Sequence, residues 1–537
     1  MKKISKIIFI IIISFSLNIK NIIAEELPKV YLTGDITEMN SKSDKRKIEL
    51  HYKSDDLEFK AYTVIKIQGN SSLQYDKKNY NIKLYQDSKY KDKKNIDIGK
   101  NWGSQHEYYL KANWIDKTHS RNIVTANIVA NMQKKYNLFN NTPNYSQIDG
   151  IPVEVYINDE FLGLYTWNIP KDNWMLNMNK DDSKHLAIIS NKHSDTTNFK
   201  ETTTLDNDDW EIEVGPQTNE TIKKLNRLIT FIKDSNNIEF KNKFENYLNL
   251  DATLNYYIIL NVAKLSDNNS KNMLLITYDG KIWSPITYDL DTSWGTNYTG
   301  KLNKNYSKNL KEYLNNNLLW EKLEKNFSKE ISNRYFELRK SILTKENILN
   351  EFNTFINSIP KSSIEKEINK WGENIPGYSI SQIEEFLDTR LPMLDKEMYT
   401  SYNTTPQISI EYSNQNPTIK PITVKLIPNR TDISIIKDGK KSYDYIYTFT
   451  KNGEYTFEYQ DWYGNNLGTL TITINNIKTK EITIILISTI LFIIIGTIFI
   501  FISKKQLTNN KKSNSKKETK EKTKIRKKKT SKNKNHS

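Results

Sequence analysis

The residues best suited to chemistry lie in one stretch, Asp267 to Gly295, DNNSKNMLLITYDGKIWSPITYDLDTSWG. Asn272–Thr277 is a short apolar run, Tyr278-Asp-Gly-Lys281 is a turn, and Ile282–Thr287 is a returning strand. An Asp-Gly pair between two such runs is a strong short-range hairpin signal. A hairpin brings its open ends together, so Asp267 and Asn272 should lie near Asp289 and Asp291. Carboxylates and an amide converging on one spot offer only oxygen to a metal, which suits a hard cation such as Mg²⁺. The plain alternative is that these Asp and Asn residues only shape turns and caps.

The elements around this stretch fall into an order. Lys29–Thr33, Lys47–Tyr52 and Phe59–Gln68 alternate or carry β-branched residues, and so form a β-rich opening. Gly69-Asn70-Ser71-Ser72 follows as a small polar loop, then the strand-like Tyr80–Tyr85. Such a loop leaves backbone N–H groups free to approach phosphate, and Lys83 is expected to point from its strand toward it. Ile123–Met132 has the apolar spacing of a helix, with Arg121 and Asn122 at its start. Pro152–Tyr156 and Phe161–Trp167 make a second hairpin. Thr218–Phe231, Phe240–Leu250 and Leu254–Leu265 read as helices, and helical patterning dominates from Leu310 to Met398, broken at Pro360 and Pro376. Strands come first and helices later, with the acidic hairpin inside the helical part. The fold class is α+β.

Composition removes some chemistries. The chain has no Cys, so it has neither disulfides nor a thiolate nucleophile. Its formal charge of +16 is segregated, because Lys504–Ser537 carries 15 Lys/Arg against 2 Glu. The rest of the mature body is nearly neutral, so the overall charge does not argue for nucleic-acid binding by that part.

The two ends specify a compartment. Residues 1–24 have a basic start, an apolar stretch Ile7–Leu17 and a small-residue end at Ala24, the pattern of a signal peptide. Residues 482–503 hold no charge and are long enough to cross a bilayer. The basic tail 504–537 follows at once, which places it in the cytoplasm, as a disordered flank, and the body outside. Just before the span, residues 405–477 switch to short strands with Asn-Gly and Gly-Asn turns. That is the pattern of a small Ig-like β-sandwich.

Several segments together resemble the CotH kinase family, named after a spore coat protein. They are Gly69-Asn-Ser-Ser72, Lys77-Lys78-x-Tyr80-x-Ile82-Lys83, Leu110-Lys-Ala-Asn-Trp114 with Asp116, Arg121-Asn122, and Gly163-Leu-Tyr165. Asp267-x4-Asn272 and Pro285-Ile-Thr-Tyr-Asp289-Leu-Asp291, ending at Gly295, complete the set. The resemblance covers roughly Val30 to Met398 and rests on the order of the motifs. It implies an atypical, two-lobed protein-kinase-like domain over 27–398, with a β-rich N-lobe, a helical C-lobe and ATP-dependent activity. An Asp, an Asn five residues on, a strand–turn–strand and a further Asp is also the plan of the kinase catalytic segment.

By position, the resemblance makes Lys83 the ATP-phosphate ligand, with the Gly69–Ser72 loop beside it. Asp267 becomes the catalytic Asp, and Asn272 with Asp289 or Asp291 binds Mg²⁺. Asp289 is favoured because it directly follows its strand. No Glu lies between Lys111 and Asn140 to pair with Lys83, which leaves Asp116 as a substitute. The implied function is a membrane-anchored extracytoplasmic kinase acting on spore coat or envelope proteins. A transferase of AMP or an amino acid, and a non-catalytic surface protein for assembly or adhesion, are the alternatives.

Overall fold

The computed structural model describes residues 26–69, 71–303, 305–306, 316–372, 379–402, 404–437, 439–478 and 480–530. The expected signal peptide, Pro376 and Asn70 lie outside the described residues. The described chain is mixed α+β and divides into two compact units, 1–404 and 405–537.

The first unit opens with seven strands: β1 (Lys29–Thr33), β2 (Lys45–Lys53), β3 (Glu58–Gln68), β4 (Asn79–Tyr85), β5 (Glu107–Lys111), β6 (Gly150–Ile157) and β7 (Glu160–Asn168). They close into a barrel in the order β1-β2-β3-β4-β5-β7-β6, sealed by parallel pairing of β1 with β6. Alternation makes the barrel. Every second residue of β3 from Phe59 to Ile67 is buried, and Leu32, Ile48, Leu50, Ile82 and Leu110 join them inside. The intervening residues, Lys66, Gln68, Asn79, Asn81, Tyr109 and Lys111, therefore face outward from β3, β4 and β5. That outer face forms one wall of the site.

The opposite wall is a four-stranded antiparallel sheet ordered β11-β10-β8-β9. It consists of β8 (Leu186–Ser190), β9 (Trp210–Val214), β10 (Met273–Thr277) and β11 (Ser284–Thr287). The β10–β11 hairpin turns where Gly280 sits at φ 70°, with Asp279 Oδ1 accepting from the N–H groups of Lys281 and Ile282. Behind it stand α1 (Arg121–Lys135), α2 (Asn219–Asp234), α3 (Asn237–Lys243) and α4 (Leu250–Val262). α4 is buried continuously from Ala252 to Val262, mostly through apolar side chains, as expected for a central helix. The expected helix Phe240–Leu250 is broken. Asn249 Oδ1 accepts from Ala252 N–H, which caps a new helix, and a 3₁₀ turn fills Phe244–Asn246. The unit ends with α5 (Leu318–Asn326), α6 (Ser328–Arg339), α7 (Lys345–Asn357), α8 (Lys361–Trp371) and α9 (Ile380–Thr400).

In the second unit, three strands (Ile408–Tyr412, Ile422–Pro428, Ile446–Phe449) and four strands (Ser434–Lys437, Lys440–Ser442, Gly453–Gln460, Asn466–Ile474) make two antiparallel sheets. Ile422, Val424, Leu426, Ile435, Phe449, Ile472 and Ile474 form their shared core. Helix α10 (Lys480–Thr530) follows, and its apolar part is long enough to cross a membrane, as a single-pass anchor requires. Residues 504–530 of the basic tail are helical rather than the disordered flank expected from their charge. The helix runs on through residue 530, because Lys, Glu and Arg are good helix formers and the span supplies the nucleus.

Candidate active site

Between the outer barrel face and the β8–β11 sheet lies a cavity of about 590 Å³. Five lysines (Lys42, Lys66, Lys111, Lys171, Lys271) and five acids (Glu211, Glu213, Asp267, Asp289, Asp291) line it, with Gly69, Tyr75 and Asn272. A cavity lined by both lysines and carboxylates suits a polyanion accompanied by a cation. The hairpin ends converge there: Asp267 and Asn272 precede β10, Asp289 and Asp291 follow β11, and all four line the cavity.

Each end is held by named bonds. Asn268, in the 3₁₀ turn Asp267–Asn269, donates its amide to Tyr288 O at 2.7 Å, and its own carbonyl accepts from Tyr256 of α4. Leu290 N–H donates to Asn122 Oδ1 at 3.0 Å, so the first turn of α1 grips the segment between the two Asp residues. Arg121 beside it is fully buried rather than solvated, bridging Asp116 and Gln382 of α9. Asp116 is thus committed to Arg121 and to the N–H groups of Ser120 and Arg121, and is no partner for Lys83. Asn272 and Asp289 both adopt left-handed backbone, φ 58° and 55°. Non-glycine residues held there cost free energy and cluster at functional sites.

The charges differ in state. Burial opposes ionisation of Asp267, but a bond from His193 and the Lys271 ammonium at 3.2 Å outweigh it and hold its carboxyl below the usual range. Burial, together with the neighbouring Asp289, pushes Asp291 up to about 7. Lys111 Nζ stands 3.6 Å from Asp289 Oδ1; burial works against its charge, and the acids more than compensate. Asp289 and Asp291 therefore form an oxygen-rich pair that a cation would relieve. Among the described residues no three His, Asp or Glu side chains close into a metal cage. Mg²⁺ characteristically takes one or two carboxylates plus phosphate oxygens and water, and this donor set fits that use.

Lys83 stands apart from the acids. It shares the outward face of β4 with Asn79 and Asn81 but lies one step farther along, outside the cavity lining. There it pairs with Glu107 on β5 at 2.7 Å, and Glu107 also accepts from Asn81. The lysine that faces the Asp289–Asp291 pair is Lys111. Its signal was the charge inside the apolar run Tyr108-Tyr-Leu-Lys-Ala112, part of a motif already noted, but no alternation marked so short a strand. Gly69 lines the cavity at φ 106°, and Ser71–Gln74 form a 3₁₀ turn tied down by Lys78, which donates to Leu73 O and Tyr75 O.

With the geometry in view, a family model described as CotH kinase protein matches residues 65–394. The chain belongs to the CotH kinase family. The match spans β3 to α9 and so takes in both walls of the cavity. No curated protein matches the chain. Family membership suggests a kinase-like enzyme, with nucleotide and divalent metal use as the general expectation.

Proposed function

We propose that this CotH protein is a membrane-anchored extracytoplasmic kinase that transfers the ATP γ-phosphate to hydroxyl side chains of coat or envelope proteins. One observation carries the reading: Asp267 and the Asp289–Asp291 pair line a single cavity, with Lys111 against the pair and Lys271 against Asp267.

In this reading Asn272, Asp289 and Asp291 hold Mg²⁺, which supplies positive charge to the phosphate oxygens. Lys111, rather than Lys83, would contact phosphate, with Gly69 lining the same cavity. Asp267 is ionised near neutral pH and receives the acceptor hydroxyl's proton. The acceptor oxygen forms its bond to the γ-phosphorus as the bond to the β–γ bridging oxygen breaks, and ADP leaves with that electron pair. Little else is needed, because phosphoryl transfer depends mainly on positioning and charge. The apolar helix and the basic residues after it support a body outside and a tail inside.

Full-length protein in detergent, given Mg²⁺, an envelope protein extract and ATP labelled at the γ- or α-position, tests this. Transfer of γ-label alone supports the kinase. Transfer of α-label makes the protein an AMP transferase, and incorporation of neither label overturns the enzyme reading.

A further inference from the structure

Three of the family-like segments have no part in the chemistry above: Lys77, Gly163-Leu-Tyr165, and Asn113-Trp114. All three converge on one helix. Lys77, just before β4, is buried, and its ammonium donates to Ala112 O at 3.2 Å, Leu164 O at 2.5 Å and Glu367 Oε1 at 2.5 Å. It also lies 4.6 Å from the centre of the Tyr165 ring. Glu367, on α8, is equally buried, and its second oxygen accepts from Leu164 N–H at 2.6 Å. Gly163 makes room for this meeting. A Cβ there, at φ 156°, would lie 2.6 Å from Lys77 Cε and 3.1 Å from both Glu367 Oε2 and Trp371 Nε1.

The same helix reaches the cavity by two routes. Ala112, which accepts from Lys77, directly follows Lys111. At the end of α8, Trp371 donates to Leu162 O at 3.0 Å and sets its ring edge-on to Trp114 at 5.7 Å. Trp114 stacks on Tyr75 at 6.1 Å, and Tyr75 lines the cavity. Earlier in α8, Ser363 and Lys366 both engage Glu154 of β6. The helix is thus keyed into the barrel through charge, indole and hydroxyl along its length. A buried ion pair is a poor source of net stability, because desolvation offsets the attraction. Geometry is what it fixes here.

We propose that Lys77 and Glu367 are positioning residues: their buried pair braces α8 against the barrel and thereby sets Lys111 and Tyr75 at the cavity. The structural claim stands by itself, while its catalytic consequence rests on the kinase reading.

The test compares wild type, Glu367→Gln and the double variant Lys77→Met/Glu367→Leu, all as full-length protein. The double variant removes both charges and so leaves none buried and unpaired. It is expected to melt near the wild-type temperature. Its backbone amides in 73–80 and 110–116 exchange on the order of tenfold faster, while those of α1 are unchanged. Transfer falls ~10²-fold, as misplacement of positioned groups does, and the KM for Mg·ATP rises. Glu367→Gln moves the same readouts the same way. Unchanged exchange in both segments, or wild-type transfer by the double variant, overturns the brace. Should the double variant fail to fold, Glu367→Gln is judged alone by the same exchange and transfer measures, and wild-type values in both overturn the brace. A wild-type protein that transfers nothing sinks the kinase reading, and the exchange comparison still judges the brace.

Discussion

Lys111 and Asp289 face each other across the cavity at 3.6 Å, one at the end of a barrel strand and the other at the end of the acidic hairpin. The barrel and the hairpin sheet therefore meet through opposite charges, at the place where the proposed kinase reading puts phosphate and its cation.

Lys111→Met is expected to weaken Mg·ATP binding by about tenfold to a hundredfold, the worth of a hydrogen bond to a charged group of about 1.5–3 kcal/mol. Lys83→Met should leave the affinity nearly unchanged, because that ammonium is engaged by Glu107. Calorimetric titration of both variants decides between them, and the opposite ranking would return the phosphate role to Lys83.

Asp267→Asn should reduce phosphate transfer ~10²–10⁴-fold, the range of general-base assistance, with little change in ATP affinity. If Asp267 only shapes the turn before β10, the variant instead melts lower and keeps its activity per folded molecule. Single-turnover transfer and melting temperature on one preparation separate the two.

Mg²⁺ should raise the melting temperature of the wild-type protein but not of Asp289→Ala or Asp291→Ala. Without metal, removing either carboxylate relieves the repulsion between them and leaves the other to offset the Lys111 charge, so neither variant should unfold. Equal stabilisation of all three by Mg²⁺ would move the metal elsewhere.

His119 supplies a pH dependence remote from the acids of the hairpin. Burial, reinforced by the Lys77 charge, pulls it down to about 4 from an ordinary 6.5. The unfolded chain then binds more protons between those values, so stability is complete above about pH 6.5 and falls as the pH drops toward 4. His119→Asn tolerates the same left-handed backbone, φ 54°, and does not titrate. The difference between wild-type and variant melting temperatures should shrink or change sign across that window; a constant difference would contradict the shift.

Protease added to intact cells should digest epitopes within residues 25–477 and spare one at the C-terminus. Protection of the body with an exposed tail would reverse the topology.

The convergence of the hairpin ends on one cavity was legible because the hairpin is local. Asp-Gly between two apolar runs fixed the turn, and turn geometry alone brought Asp267 and Asn272 to the same cavity as Asp289 and Asp291. The opposite wall depends on distant partners. β8 and β9 are five residues each, joined by a long polar loop, and only long-range pairing, of β8 with β10 and of β9 with β8, marks them as part of this sheet. β5 hid Lys111 for the same reason. Closure of the barrel rests on β1 meeting β6 across more than a hundred residues, which no local pattern records.

That closure has a practical side. β1 is the keystone of the ring: without it β2 and β6 become two open edges, each a template for pairing with another chain. Truncations or fusions that begin beyond Lys29 should therefore yield aggregates rather than a smaller soluble enzyme. Expression designs for the body should start upstream of that strand.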